Sequence, residues 1–158
     1  MSQLLDAMRG VANAAEPVPG LVTGGQPSLR HLALLREAGC EVVLDIRDPM
    51  EPRPFRTPEE VRAAGFEYVS IPMGHAGVPV EVFARVRETV RGSVAAGRKM
   101  LFHCASGNRV GAAMIPYLML EHGLSEDEAV MAAMKMGTRS AELIESALAY
   151  VRSAARRP

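Results

Sequence analysis

Apolar residues change their period several times along the chain, and each change marks an element. Leu4, Leu5, Met8 and Val11 fall at helical spacing and predict a helix over 1–14. The stretch Glu16-Pro17-Val18-Pro19-Gly20, with two prolines and a glycine, then reads as a helix stop and a turn. Leu21-Val22-Thr23 is a short strand candidate, and Ser28 is placed to cap a helix whose stripe is Leu29, Leu32 and Leu35, ending at Gly39. Glu41 to Arg47 (EVVLDIR) is rich in β-branched residues and reads as a buried strand. Pro49, Pro52, Pro54 and Pro58 mark an extended loop, and Thr57-Pro58-Glu59-Glu60 opens a short helix. Phe66 to Ile71 reads as strand and Pro72 to Gly77 as loop. Pro79 to Ala96 reads as a longer helix with Val82, Phe83, Val86 and Val90 on one side. Lys99 to His103 is the last strand. Helices over Arg109 to Glu121, Glu126 to Met136 and Ala141 to Arg152 complete the chain, with Ser125 and Glu128 at capping-box spacing. Strands alternating with helices predict an α/β fold: a small, mostly parallel sheet flanked by helices, with a helical C-terminus.

The chain has 158 residues, which suits about one domain at ~100–200 residues each. We expect an N-terminal helical segment over 1–17 and an α/β domain over 18–158. Apolar residues at 48% and charged residues at 23% exclude a disordered chain. Eighteen Lys and Arg balance eighteen Asp and Glu, so neither nucleic acid nor an anionic membrane is expected as a partner. No apolar run reaches ~18 residues and no leader pattern opens the chain, so a soluble, cytoplasmic protein is expected. Oligomeric state is not legible here.

The chemistry concentrates in Lys99 to Met114 (KMLFHCASGNRVGAAM). A strand runs into His103-Cys104, and a short loop with Gly107 leads to Arg109 and a helix. The start of a helix presents unpaired backbone N–H groups, which suits an anion. Gly107 lets the backbone bend around it, and Arg109 adds a charged, planar fork for two oxygens. A thiol in such a field ionises well below its free value of ~8.5. Cys104 beside this cradle is therefore a nucleophile candidate, aimed at a bound phosphoryl or sulfur group, with Ala105, Ser106, Gly107, Asn108 and Arg109 as the binding loop. Cys40 has neither feature nearby and reads as core.

His103-Cys104-x-x-Gly107 followed by Arg109 resembles the signature loop of the cysteine-dependent protein tyrosine and dual-specificity phosphatases. Thr23-Gly24-Gly25-Gln26-Pro27-Ser28, the segment from Ala38 to Arg47, Gly65 to Pro72, and Ser125 to Gly137 look like the beta-lactamase-hydrolase-like phosphatase family. The likeness of motif order spans residues 18 to 152. It implies a phosphatase-like domain over 18–158 that hydrolyses phosphate monoesters through a phospho-cysteine, with no metal or cofactor. It also implies a phosphorylated protein or a small phosphate ester as partner, and a supporting role for His103 in holding the thiolate. Most tyrosine phosphatases place five residues between Cys and Arg; here four intervene, and Val110 stands where their arginine falls. The hydroxyl residue that usually follows the arginine is missing. Rhodanese sulfurtransferases share the shorter loop, so a Cys104 persulfide carrier is an alternative reading, and a non-catalytic phosphate-binding domain is another.

Ester cleavage by a thiolate needs a proton donor from a separate loop. Dual-specificity phosphatases carry an Asp after a strand resembling Tyr-x-x-Ile-Pro; Tyr68-Val69-Ser70-Ile71-Pro72-Met73-Gly74-His75 brings a histidine there instead. His75 is thus the candidate acid, with Asp48 and Glu51 as alternatives and an exposed loop histidine without a role as the plain reading. Arg47 either touches substrate or pairs with Asp45 or Asp48. His31 and His122 read as surface positions, and Met114, Met119, Met131, Met134 and Met136 as core filling.

Overall fold

The computed structural model describes residues 2–156; Met1, Arg157 and Pro158 lie outside the described residues. Five strands form one sheet: β1 (Ala15–Val18), β2 (Leu21–Gly24), β3 (Cys40–Asp45), β4 (Glu67–Ser70) and β5 (Lys99–His103), in the order β1-β2-β5-β3-β4. β5 lies parallel to β2 on one side and to β3 on the other, β4 lies parallel to β3, and β1 alone runs antiparallel, paired to β2. Among the described residues seven helices surround the sheet: α1 (Gln3–Ala7), α2 (Leu29–Glu37), α3 (Glu59–Ala63), α4 (Val80–Ala95), α5 (Asn108–Leu120), α6 (Glu126–Lys135) and α7 (Ala141–Ala155). The mostly parallel α/β architecture with a helical C-terminus is the one the alternation predicts.

Why the inner strands are apolar throughout follows from burial on both faces. Alternate side chains of one strand enter different cores: Val42 and Leu44 join Leu21, Met100 and Phe102 under α4 to α7, whereas Val43 joins Val22 and Leu101 under α1 to α3. Helix starts follow the caps read from sequence. Ser28 accepts from the His31 N–H while the His31 ring accepts from the Ser28 N–H, and Ser125 and Glu128 form the same reciprocal pair. His31 is therefore a capping residue, and its Nε2 lies 2.8 Å from the Arg9 carbonyl, tying α1 to α2.

Two expectations are corrected. The N-terminal helix is only Gln3–Ala7, and Ala15–Val18 is a strand, so the boundary expected between 17 and 18 falls inside β1. Pro17 is compatible with this because β1 is an edge strand, where a missing N–H costs nothing. Leu4, Ala7, Met8 and Val11 are buried against Leu32 and Leu35, which packs the segment onto the sheet. Of the methionines, Met114 and Met136 are buried, but Met131 and Met134 are 59% and 50% exposed. Helix α6 turns its small residues, Ala129 and Ala133, inward instead.

The register sets the site. Gly24 of β2 and Asp45 of β3 both pair with His103, and Asp45 pairs with Ser70 of β4. Four parallel strands thus end level, and Cys104 leaves the middle of that row.

Candidate active site

The loop after β5 is pinned before it reaches its helix. Cys104 N–H donates to the Gly24 carbonyl at 3.2 Å, Ile46 N–H to the His103 carbonyl at 3.2 Å, and Gln26 N–H to the Ala105 carbonyl at 3.0 Å. Gly25 is required at this approach, since a Cβ there would stand 2.5 Å from the Ala105 oxygen. Gly107 adopts φ +100°, the left-handed conformation glycine adopts readily, and caps α5. Its N–H donates to Cys104 Sγ at 3.1 Å. The Asn13 amide donates to the Ser106 carbonyl at 2.7 Å. Behind the loop, Thr138 Oγ1 donates to the Asn108 carbonyl and Arg139 N–H to Asn108 Oδ1, both at 2.7 Å.

Arg109 is 1% exposed and its fork is occupied. Nη1 donates to Glu51 Oε2 at 2.8 Å and to the Met73 carbonyl at 3.1 Å, while Nη2 donates to Glu51 Oε1 at 2.9 Å. Asp48 N–H donates to Glu51 Oε2 at 2.7 Å, and Arg47 Nε lies 3.4 Å from Oε1. The hydrogen bond from Arg109, against the opposing effect of burial, holds the Glu51 carboxyl down at about 2. Glu51 is therefore an ionised partner of Arg109 and, in this arrangement, has no proton to give; as an acid candidate it is withdrawn.

The remaining expected residues divide clearly. His103 is buried, with Nδ1 3.2 Å from the Cys104 carbonyl, and burial pushes the ring's pKa down against the pull of the Asp45 charge. Cys104 is fully buried, Gly107 is buried, Asn108 is half-buried, and Ala105 and Ser106 are exposed. His75 sits exposed in the loop between β4 and α4, two residues beyond the Met73 carbonyl that Arg109 holds. Its ring makes no hydrogen bond among the described residues. Val110 is buried in the apolar core, so it offers no hydroxyl to the sulfur. Cys40, at the far end of β3, is a core thiol whose burial pushes it up to about 11.

Arg47 does not pair with the side chains of Asp45 or Asp48 as an internal ion pair would require. Its guanidinium reaches Glu51, Gln26 Oε1 at 2.6 Å and the Pro52 carbonyl at 2.7 Å. Asp45, 1% exposed, instead accepts from the Tyr68 hydroxyl at 2.8 Å and Arg53 Nη2 at 3.1 Å. Sequence reasoning missed Asn13, Gln26 and the Thr138-Arg139 brace. Each acts through a contact distant in the chain, which no local pattern announces.

No family model matches the chain, and no curated protein does. Solved structures do. The fold is that of the cysteine-dependent protein tyrosine and dual-specificity phosphatases. The DUF442 protein of Shewanella putrefaciens CN-32 aligns over 95% of this chain and 97% of its own, at 20% identity and a TM-score of 0.77. Tk-PTP in its active form aligns over 89% of this chain and 97% of its own, at 23% identity and a TM-score of 0.78. The human tyrosine phosphatase-like serine/threonine/tyrosine-interacting protein aligns over 90% and 97%, at 21% identity and a TM-score of 0.74. At these identities the likeness is one of fold.

Proposed function

We propose that the protein is a cysteine-dependent phosphatase acting on phosphate monoesters, either a phosphorylated protein or a small phosphate ester. The observation that carries this reading is Cys104 at the end of the central strand, its sulfur receiving the Gly107 N–H at 3.1 Å, with Arg109 in the first turn of the following helix. A dianionic phosphoryl group displaces Glu51 from the guanidinium and takes its place. The Cys104 thiolate attacks phosphorus; the P–S bond forms as the ester P–O bond breaks, and His75 protonates the leaving oxygen. Water then attacks phosphorus, its proton passes to the imidazole, and P–S cleavage returns the thiolate and inorganic phosphate. Backbone N–H groups at 105–109 and Arg109 oppose the charge that gathers on the equatorial oxygens. His103, buried against the Cys104 carbonyl, supports the loop. Residues 1–17 belong to the same working unit, since Asn13 touches the loop. Two free cysteines suit the reducing cytoplasm, where we place the protein.

Two observations favour a binding role without turnover: Glu51 already fills the Arg109 fork, and Val110, buried in the core, carries no hydroxyl for the second step. The four-residue spacing between Cys104 and Arg109 favours sulfur transfer in its turn. A single comparison separates the three. Aryl phosphate hydrolysis and thiocyanate formation from thiosulfate and cyanide are measured side by side, with Cys104→Ser as control. Phosphate release that Cys104→Ser abolishes is the expected result. Thiocyanate alone assigns sulfur transfer, and silence in both arms assigns a binding domain.

A further inference from the structure

The Ser106 carbonyl and the Gly107 N–H belong to one peptide unit, and each is held from a different side. Asn13 Nδ2 grips the oxygen at 2.7 Å, and the N–H points at Cys104 Sγ at 3.1 Å. In a planar trans peptide these two groups point in opposite directions, so fixing one fixes the other. A flip of this unit would turn the carbonyl oxygen toward the sulfur and the incoming anion, reversing the sign of the dipole that faces them. Side chains do not bar the flip: Gly107 has none, and that of Ser106 is exposed. Asn13 itself is built for the task. It is the one non-glycine residue at positive φ (+55°) among the described residues, a conformation that asparagine tolerates. Its side chain is also wedged against two glycines, since a Cβ at Gly107 would stand 3.0 Å from Asn13 Cβ and one at Gly137 2.7 Å from Asn13 Cγ.

We infer that Asn13 is a positioning residue of the active loop, a latch that holds the 106–107 peptide with its N–H on the Cys104 sulfur. A donor on the carbonyl also polarises the N–H of the same unit, which strengthens its bond to a thiolate. The role rests on the phosphatase reading for its meaning in catalysis, but the latch itself is a property of the thiol and can be read without turnover.

The experiment compares wild type, Asn13→Gly and Asn13→Asp. Glycine keeps the backbone conformation and removes the side chain. Aspartate keeps the shape, the packing on Gly107 and Gly137 and the tolerance of positive φ, and removes the donor. The pH titration of the Cys104 Cβ resonance is followed by NMR on protein with isotope-labelled cysteine, with the Cys40 resonance assigned from Cys40→Ser. Arg109 with Glu51, and His103, the charged and titratable groups around the sulfur, are kept in all three proteins. Asn13→Asp adds one carboxylate, which by itself also disfavours the thiolate. The Asn13→Gly curve, free of added charge, therefore carries the support, and an unmoved Asn13→Asp curve is the stricter refutation. Thermal unfolding confirms that each is folded. Both variants are expected to titrate at higher pH, with about tenfold less thiolate than wild type at a fixed pH below the midpoint. An Asn13→Asp curve that overlays wild type overturns the latch, because packing alone would then suffice. Wild type that titrates as expected but releases no phosphate from an aryl ester overturns the phosphatase reading and leaves the latch standing.

Discussion

Glu51 and Arg109, 58 positions apart in sequence, meet through two hydrogen bonds of 2.8 and 2.9 Å, and the pair closes the anion fork from the solvent side. An arginine this buried needs a partner; leaving it alone would cost several kcal/mol, on the order of 3–5 for a broken buried pair. The carboxylate has the charge and two-oxygen geometry that a phosphoryl group would bring to the proposed site.

The pair gives a pH signature. The Glu51 carboxyl falls from its usual 4.5 to about 2 in the folded protein, so its contribution to stability is present above 4.5 and is lost as pH falls from 4.5 toward 2. Urea unfolding should show wild type more stable than Glu51→Gln at neutral pH, with the gap closing across that acid window. Function moves the other way. With the competing charge gone, inorganic phosphate should bind the variant about fivefold more tightly, measured by calorimetry.

Two helical glycines predict substitutions of opposite sign. Gly92 of α4 is exposed with nothing within 4 Å of a built Cβ, so Gly92→Ala should stabilise by about 0.5–1 kcal/mol through helix propensity. At Gly111 of α5 the Cβ would stand 2.2 Å from Thr138 Oγ1 and 2.4 Å from the Ala133 carbonyl. The same substitution there should cost about 1–3 kcal/mol net. It should also weaken phosphate binding, because Thr138 is the residue that holds the Asn108 carbonyl. Urea midpoints of the two variants check both signs.

The fold was legible where pattern and local chemistry agree. The strand Lys99–His103 is observed with the bounds its sequence suggests, and the Ser28 and Ser125 caps start their helices, because a cap and a period are written within a few residues. β1 was not legible: Glu16 to Gly20 carries turn residues, of which Pro19 and Gly20 do form a turn, and only pairing with the neighbouring β2 makes Ala15–Val18 an edge strand. In the site, Cys104, Arg109 and the loop between them lie in one continuous motif. The partners that complete it do not. Glu51 reads as one of several loop carboxylates until the fold brings Arg109 to it, and nothing near Asn13 in the chain announces a contact with Ser106, 93 positions away.

Asp45 anchors the strand row beside His103, and its two oxygens are spent on three partners: Arg47 N–H at 2.8 Å, the Tyr68 hydroxyl at 2.8 Å and Arg53 Nη2 at 3.1 Å. Asp45→Asn leaves Arg53 without its carboxylate and should cost about 3–5 kcal/mol, whereas Tyr68→Phe removes one hydrogen bond and should cost about 1.5 kcal/mol. Burial first, then the Asp45 charge, pushes the Tyr68 hydroxyl from 10 to about 12. Its contribution is therefore full below pH 10 and lost as pH rises toward 12, a loss that Tyr68→Phe should not show in alkaline unfolding.

In the proposed reaction, the identity of the proton donor turns on the two loops that converge on Arg109. One carries Asp48, whose N–H shares Glu51 Oε2 with the guanidinium; the other carries His75, two residues past the Met73 carbonyl. Asp48 is engaged locally, its Oδ1 accepting the Met50 N–H at 2.8 Å, while the His75 ring is without a hydrogen bond among the described residues and stands exposed. A donor must reach the leaving oxygen outside the cradle, and an untethered exposed ring at the loop tip can do so, whereas Asp48 would first have to give up its turn. His75→Ala should therefore lower turnover of an alkyl phosphate, whose alkoxide leaves poorly, by about 100-fold. Turnover of an aryl ester with a good leaving group should barely change, because that oxygen departs without a proton. Asp48→Ala should show no such dependence on the leaving group. Rates for the two ester classes in both variants decide the assignment: a leaving-group effect in Asp48→Ala and none in His75→Ala would move the acid to the other loop.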